Sequence, residues 1–365
     1  MFRIEPHAWA AVLWLAWVPA YAATVQPGLA PEAAAHGVVL VYHHVSDETP
    51  ASTSVKPEVF RQHLDFLADN DFNILPLGQL AEAMERGQLL PPRSVALSFD
   101  DGYISVYTEA LPLLEARGWP FTVFVTTQYL DQPGSVHMNW EQLRDLEMRG
   151  GTVGNHSTDH EHLIRRRDGE SRRAWLKRVK VNIESAQAAL ERQLRQPLRA
   201  FAWPYGEFDA PLEQLLERLG YVGLGQQSGP VGPQSSLQSL PRFPVATGFD
   251  DLPTLEEKLR SRPLPVTVLH PGSRLLGADA GPPELRLRIA PGPFRRQGLR
   301  CYVSGQQEAR VSWHGEIAMI QASEPLRPGR SKFNCTAPAT SEAGVHYWYS
   351  HLWIQRQRDG SWYPE

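Results

Sequence analysis

Short apolar runs alternate with amphipathic stretches along the first two thirds of the chain. The run Val38–Tyr42 is continuously apolar, which is typical of a strand buried on both faces, and Pro57 stands at a favourable first helical position. Further strands are predicted at 95–99, 121–125, 152–155, 200–203 and 221–224, with helices at 106–117, 140–149, 171–194 and 210–219. This repeated order predicts an α/β fold whose mainly parallel sheet is closed, or nearly closed, into a barrel.

The pattern changes after a Gly/Pro-rich linker at 274–283. Short alternating strands are predicted at 285–289, 299–303, 310–313, 317–321, 332–336 and 345–354, which indicates an all-β module over 284–365. The only two cysteines, Cys301 and Cys335, flank Trp313, an order similar to the immunoglobulin arrangement of an inter-sheet disulfide packed on a Trp. We therefore predict an immunoglobulin-like β-sandwich with that disulfide, and two free thiols are the alternative.

The N-terminus has the pattern of a secretory signal peptide. An apolar stretch at 8–18 precedes Ala20-Tyr21-Ala22, an A-x-A cleavage pattern, and it is shorter than the roughly 20 residues that span a bilayer. We predict a signal peptide at 1–22, a linker at 23–37 and a barrel domain at 38–273. Cleavage would give a periplasmic or extracellular protein without a membrane span, in which the cysteines can pair. An uncleaved anchor is the alternative.

Composition narrows the classes of partner. Charged residues make up 21% of the 365 residues and the formal net charge is -4, as in an ordinary soluble globular protein. Nothing in that balance indicates a nucleic acid or an anionic membrane surface as a partner. The oligomeric state is left open.

Two adjacent carboxylates close the strand predicted at 95–99. Asp100 and Asp101 precede Gly102, which supplies a turn at the carboxyl end of the strand, where α/β proteins place their chemistry. Like charges repel, so the pair is costly unless one carboxylate binds a cation and the other is held as a base. A solvated Asp-Asp-Gly turn is the simpler alternative.

Two histidines follow the strand predicted at 152–155. His156 and His160 are four residues apart, and on one turn of helix they would share a face and reach one metal ion together. With Asp101 they would offer two nitrogens and one oxygen and leave a coordination position open, as in catalytic zinc sites. A coincidental pair in a chain with 13 histidines is the alternative.

A third group of residues, the turn Pro204-Tyr205-Gly206, also follows a strand, and its backbone N–H groups suit an oxyanion-binding loop. Together with Ser98-Phe99-Asp100-Asp101-Gly102 and the H-S-x-x-H at 156–160, it resembles the polysaccharide deacetylases with a NodB-type domain, carbohydrate esterase family 4. The resemblance covers residues 38–265. It implies a deformed (β/α) barrel, hydrolysis of acetyl groups from sugars, and a divalent metal, with Zn expected first and Co, Ni or Fe as alternatives.

The resemblance also implies a role for each residue. Asp101, His156 and His160 would hold the metal, which would polarise the acetyl carbonyl and activate the attacking water. Asp100 would act as general base, and the backbone N–H of Tyr205 would face the oxyanion.

The general acid and the residue that orients the base are less defined. His43, in Tyr42-His43, resembles the early motif of the subgroup that acts on poly-β-1,6-N-acetylglucosamine, whereas His270 ends a late strand, where the usual family order places the acid. We predict His43, with His270 as the alternative. The family's third motif usually begins with an Arg that orients the base, but Ala202 stands there, and Arg242 is a candidate to replace it.

The sequence thus predicts an exported, metal-dependent enzyme that removes N-acetyl groups from an exopolysaccharide or cell-wall glycan similar to poly-N-acetylglucosamine. An O-acetyl esterase acting on a glycan is one alternative, because the same site would attack either bond. A catalytically silent carbohydrate-binding protein is the other, and the intact set of carboxylates and imidazoles argues against it.

Overall fold

The computed structural model describes residues 35–364. The predicted signal peptide at 1–22 and the predicted linker as far as residue 34 lie outside the described residues. At the end of that linker, Gly37 forms an antiparallel bridge with Val231. Within the described range, none of the helices combines the length and the hydropathy that crossing a membrane requires.

The part of the chain before residue 262 is an α/β fold. Its strands are β1 (Val38–Tyr42), β2 (His44–Val45), β3 (Ser54–Val55), β4 (Asn73–Ile74), β5 (Ser94–Phe99), β6 (Phe121–Val125), β7 (Gly151–Asn155), β8 (Ala200–Ala202), β9 (Val222–Leu224) and β10 (Phe243–Pro244). Its helices are α1 (Pro57–Asp69), α2 (Leu77–Arg86), α3 (Leu111–Glu115), α4 (Trp140–Met148), α5 (Arg172–Gln193), α6 (Ala210–Arg218) and α7 (Leu252–Arg260), and a π-type turn at Val106–Ala110 leads into α3.

Eight of these strands form one curled sheet, and all of its strand pairs are parallel. The strand order is β10-β1-β5-β6-β7-β8-β9, with β4 also paired to β5. An isolated parallel bridge joins Leu224 of β9 to Leu240, which precedes β10 in the chain. The predicted α/β class and its barrel strands are confirmed, whereas α2 and α7 were not predicted.

Burial explains why the strands read as continuous apolar runs. Every residue of β1, β5 and β6 is buried, as expected when helices cover one face of a sheet and the barrel interior fills the other. Helix α1 begins at Pro57 and buries Phe60, Leu64 and Leu67 in the same core. Because the strands are parallel, their carboxyl ends share one edge of the sheet, and the candidate site residues meet there.

From residue 262 onward the strands belong to an all-β module. Its strands are β11 (Arg262–Pro263), β12 (Val266–His270), β13 (Leu275–Leu276), β14 (Glu284–Ile289), β15 (Arg300–Val303), β16 (Arg310–His314), β17 (Ile317–Gln321), β18 (Gly329–Pro338) and β19 (His346–Gln355). One sheet has the order β11-β19-β18-β15, with β13 also on β19, and the other has the order β12-β14-β17-β16.

These pairings correct the expected domain limits. The barrel domain was expected to end at residue 273, but β11 pairs with β19 and β12 pairs with β14, so both strands lie in the module's sheets. The expected linker at 274–283 contains β13, which also pairs with β19. The Gly/Pro-rich stretch therefore connects strands of one module, and the change of sheet occurs near residue 262.

Cys301 and Cys335 form the predicted disulfide. They are direct partners on the adjacent strands β15 and β18, within one sheet, and both are fully buried in the module's core. Trp313 lies on β16, in the other sheet. The expected immunoglobulin arrangement, in which the disulfide joins two sheets, is therefore wrong. The prediction failed because the order of the three residues along the chain does not determine which strands pair.

Candidate active site

Asp100 follows β5 and forms a buried ion pair with Arg242. Nη1 of Arg242 donates to Oδ1 and Nη2 donates to Oδ2, both at 2.7 Å, and neither side chain is exposed. Burial by itself would raise the pKa of Asp100, but Arg242, aided by His156, holds this pKa below its usual range. The carboxylate is therefore ionised at neutral pH and fixed by two charge-assisted hydrogen bonds. In the related family an Arg at the position of Ala202 usually orients this carboxylate. Here Arg242 contacts it instead.

Asp101 lies in a turn with an uncommon backbone. Asp101 and Gly102 both have a left-handed conformation, each with a φ of 70°, which is rare for a residue other than glycine. A Cβ on Gly102 would come within 2.7 Å of Cγ1 of Val125, so the turn requires glycine there. The turn places Oδ1 of Asp101 at 3.2 Å from Nε2 of His156 and at 3.3 Å from Nε2 of His160.

A loop, and not the predicted helical turn, brings His156 and His160 together. Ser157 and His160 have left-handed φ values of 73° and 55°, which a helix does not contain. The Ser157 N–H donates to Oδ1 of Asn155 and the His160 N–H donates to Oγ of Ser157. Such side-chain bonds to the backbone compete with helix formation, which explains the difference.

Helix α5 supports this loop from outside. Oδ1 of Asn182 accepts a hydrogen bond from the Thr158 N–H at 3.0 Å, and its Nδ2 donates to Oδ1 of Asp159 at 2.8 Å. Both bonds act on the short segment between the two imidazoles. The spacing of His156 and His160 therefore depends on a helix that follows them in the chain.

The donor atoms of Asp101, His156 and His160 lie within 4.8 Å of one another. Nδ1 of His156 donates to the backbone oxygen of Ala202 at 2.8 Å, which leaves Nε2 as the nitrogen facing the other two ligands. Burial alone would lower the pKa of His156, but the Asp101 hydrogen bond and the Asp100 charge raise it. Surroundings that favour a proton also favour a cation, and two imidazoles with one carboxylate fit a divalent ion with an open position.

The two candidates for the general acid lie at the ends of strands from different sheets. His43 directly follows β1, and the Asp100 N–H donates to the backbone oxygen of Tyr42, the residue before His43, at 2.9 Å. His270 ends β12 in the all-β module, where it is exposed and pairs with Arg286 of the neighbouring strand. The fold therefore places the backbone beside His43 next to that of Asp100, whereas His270 lies on a strand of the all-β module.

Sequence reasoning missed an aromatic stack beside Asp101. The rings of His44 and Tyr103 stack with centroids 3.5 Å apart, and Tyr103 stacks on His137 at 4.9 Å. Burial lowers the pKa of His44 to about 4 against the attraction of Asp101, so this imidazole is neutral at neutral pH. The position of Tyr103 directly after the Asp-Asp-Gly turn was the available signal.

The turn Pro204–Gly206 follows β8 and lies beside the ligand cluster. Tyr205 has a left-handed φ of 59°, and its ring meets the His160 ring edge-on at 4.5 Å. A Cβ on Gly206 would come within 2.7 Å of Cβ of Gln226, so the chain approaches closely there. Gln226, which the sequence analysis did not identify as a site residue, places its Nε2 at 3.4 Å from Oδ2 of Asp100.

Comparison with known proteins identifies related sequences. A family model described as polysaccharide deacetylase matches residues 88–224. The poly-beta-1,6-N-acetyl-D-glucosamine N-deacetylase of Escherichia coli strain K12 is 24% identical over 261 residues, which cover 60% of this chain and 37% of that protein. The protein of the same name from Staphylococcus aureus strain MRSA252 is 20% identical over 211 residues, which cover 56% of this chain and 72% of that protein. The chain thus spans well under half the length of the first relative.

Solved structures share the barrel. The Streptococcus pyogenes deacetylase PplD, in complex with acetate, aligns with 59% of this chain and 94% of its own, with a TM-score of 0.53 and 23% identity. IcaB from Ammonifex degensii aligns with 62% of this chain and 97% of its own, with a TM-score of 0.54 and 23% identity. At this identity the likeness establishes the fold. The residues that match the polysaccharide deacetylase family model, 88–224, lie within the part of the chain that has this fold.

Proposed function

We propose that this protein is a metal-dependent N-deacetylase of a poly-N-acetylglucosamine-like glycan. The observation that carries the proposal is the division of two adjacent carboxylates between different partners. Asp100 pairs with Arg242, whereas Asp101 faces two imidazoles. The substrate class is suggested by relatives named poly-beta-1,6-N-acetyl-D-glucosamine N-deacetylase.

Asp101, His156 and His160 would hold the divalent cation, for which zinc is the first candidate and cobalt, nickel and iron are alternatives. When bound, the cation supplies Lewis-acid polarisation of the acetyl carbonyl and acidifies water. The hydrogen bond from His156 to Ala202 supports this assignment, since a ligand imidazole is ordinarily oriented through its second nitrogen.

The remaining residues move protons and stabilise charge. Asp100 accepts a proton from the attacking water on a carboxylate oxygen while Arg242 keeps that carboxylate in place. The water oxygen bonds to the acetyl carbon, and the backbone N–H of Tyr205 donates to the oxyanion that develops, within the turn Pro204–Gly206. His43 gives a proton to the departing nitrogen as the C–N bond breaks, so the products are acetate and a free amine on the sugar.

We also propose that the protein is exported. Disulfides persist in oxidising compartments, and the bridge between Cys301 and Cys335 fits a periplasmic or extracellular location. A polymeric substrate outside the cytoplasm agrees with this location.

Acetate release from β-1,6-linked N-acetylglucosamine oligomers by the zinc-loaded chain tests the proposed activity. We expect acetate from the amide-linked substrate. Acetate from O-acetylated sugars alone would favour an esterase. Retention on a glycan column without acetate from either substrate would favour a catalytically silent binding protein.

A further inference from the structure

The all-β module reaches the turn that carries Tyr205. Glu207 follows this turn, and its carboxylate is fully buried. Nδ1 of His162 lies 2.7 Å from Oε2, the Tyr363 hydroxyl donates to Oε1, and Nη1 of Arg330 lies 3.6 Å from Oε1. Two of these three partners, Arg330 on β18 and Tyr363 after β19, come from the C-terminal part of the chain.

Two of these partners, His162 and Arg330, also contact the ring of Tyr205. His162 stacks on this ring with centroids 3.9 Å apart and planes 10° apart, and the guanidinium carbon of Arg330 lies 5.1 Å from the ring centroid. Glu207 therefore links two groups that hold Tyr205. None of these contacts involves the ligand atoms of Asp101, His156 or His160.

Tyr205 needs such support because of its backbone conformation. A left-handed φ at a non-glycine residue persists only when the surrounding structure fixes it. An N–H donor stabilises an oxyanion only when it is aimed in advance at the atom where charge develops. A loosened turn would therefore lose the aim of its N–H donor and with it the catalytic contribution of that donor.

A second contact from the same strand supports the neighbouring side of the site. Nζ of Lys332, two residues after Arg330, donates to the backbone oxygen of Gln226 at 2.6 Å. Gln226 in turn packs against Gly206 and approaches Asp100. Strand β18 thus contacts both the oxyanion turn and the surroundings of the base.

We propose that the all-β module is part of the active-site framework, with Glu207, Arg330 and Tyr363 as positioning residues for the Tyr205 turn. The inference rests on the proposed deacetylase function, because that function gives the turn its role. A donor aimed at the oxyanion acts mainly in the transition state, so these residues support kcat more than substrate binding.

Tyr363→Phe tests the inference because it removes the hydroxyl bonded to Glu207 and keeps the ring. We expect kcat of the zinc-loaded variant to fall about tenfold, less than the loss of a whole oxyanion donor, with KM unchanged. In a Glu207→Gln background the same substitution should cause no further loss, because Tyr363 acts through Glu207. Tyr302→Phe is the matched control, since it removes a hydroxyl from a tyrosine of the same module that is 52% exposed.

Hydrogen exchange of the peptide containing Tyr205 gives a readout that does not depend on turnover. We expect faster exchange there in Tyr363→Phe than in the unmodified chain or in Tyr302→Phe. Unchanged exchange, or an unchanged kcat in folded, zinc-loaded Tyr363→Phe, would overturn the inference. If the unmodified chain releases no acetate, the proposed function fails, and the exchange measurement still decides whether the module positions the turn.

Discussion

At the scale of single residues, the adjacent carboxylates differ in what neutralises them. Asp100 pairs with Arg242, and Asp101 lies within 3.3 Å of two imidazole nitrogens. For Asp101, as for Asp100, burial alone would raise the pKa, but His156 and the other nearby imidazoles lower it. Both carboxylates are therefore ionised at neutral pH, and each has its own partners.

This separation predicts different failures for the two asparagine variants. Asp101→Asn should weaken zinc binding about tenfold or more, because it removes a charged ligand. Asp100→Asn should retain zinc and lose about 10²- to 10⁴-fold in kcat, because it removes the base. Zinc titration and steady-state kinetics on both variants test this, and equal zinc affinities in the two would contradict the assignment.

Replacing Arg242 should move the acid limb of the pH profile of kcat/KM to higher pH. In Arg242→Met the burial of Asp100 is no longer opposed by the guanidinium, so the pKa of Asp100 rises and the base is protonated at a higher pH. Arg300→Met is the control, because it breaks only the exposed ion pair with Glu308. An acid limb that does not move would contradict this role for Arg242.

The ion pair between Asp100 and Arg242 should also contribute to the free energy of unfolding. The lowered pKa of Asp100 contributes stability above its unfolded pKa, and that stability is lost as pH falls through the folded pKa. Arg242→Met should therefore lower the free energy of unfolding at pH 7 by about 3–5 kcal/mol, because it leaves a buried charge unpaired. Urea unfolding measures this, and the double variant with Asp100→Asn should recover part of the loss.

At the scale of elements, the loop at 156–160 owes its shape to neighbouring side chains. His156 directly follows β7, whereas the His160 N–H donates to Oγ of Ser157, and Asn182 of helix α5 bonds to the residues between the two histidines. The structure thus replaces local helical geometry with contacts from a distant helix. The three candidate ligands could be named from the sequence, but the backbone conformation that brings them together could not be predicted.

Asn182→Ala should therefore weaken zinc binding without touching a ligand. The variant removes the side-chain bonds to Thr158 and Asp159, and we expect about a tenfold loss of zinc affinity. Asn73→Ala is the matched control, because its side chain bonds to Pro92 at an exposed position. Equal zinc affinity in the two variants would show that the loop holds its shape without helix α5.

Local patterns predicted the barrel strands and helices well, because the spacing of apolar residues in each segment follows from which of its faces are buried. The apolar run of β1 and the helix start at Pro57 are examples, and both are confirmed. Partners distant in sequence could not be predicted in this way. Arg242 was only a candidate until the fold placed it on Asp100, and Tyr363 had no local signal for its bond to Glu207. Strand β12 was predicted as a strand, but its pairing with β14 in the all-β module was not predicted.

At the scale of the whole molecule, the all-β module packs against the barrel at the end strand β10. The Trp348 ring on β19 meets the Phe243 ring edge-on at 5.2 Å, and Trp348 lies against the barrel core. With the contacts of β18 at Glu207 and Gln226, the module covers more than one part of the barrel. Stability of the module should therefore matter to the site.

The disulfide should stabilise the module without taking part in the reaction. Replacing Cys301 and Cys335 together by alanine should lower the free energy of unfolding by about 3–4 kcal/mol, given their separation of 34 residues. We expect kcat of the folded, zinc-loaded variant at 25 °C to stay within about twofold, because the bridge lies in the module's own core. Urea unfolding and kinetics test both statements, and an unchanged unfolding midpoint would contradict the first.

Acetate release from β-1,6-linked N-acetylglucosamine oligomers, compared between the unmodified chain and Asp100→Asn at equal zinc occupancy, tests the central claim most directly. The proposed function predicts acetate from the unmodified chain and at least about a hundredfold less from the variant. No acetate from the zinc-loaded, unmodified chain, or equal release from both proteins, would contradict it.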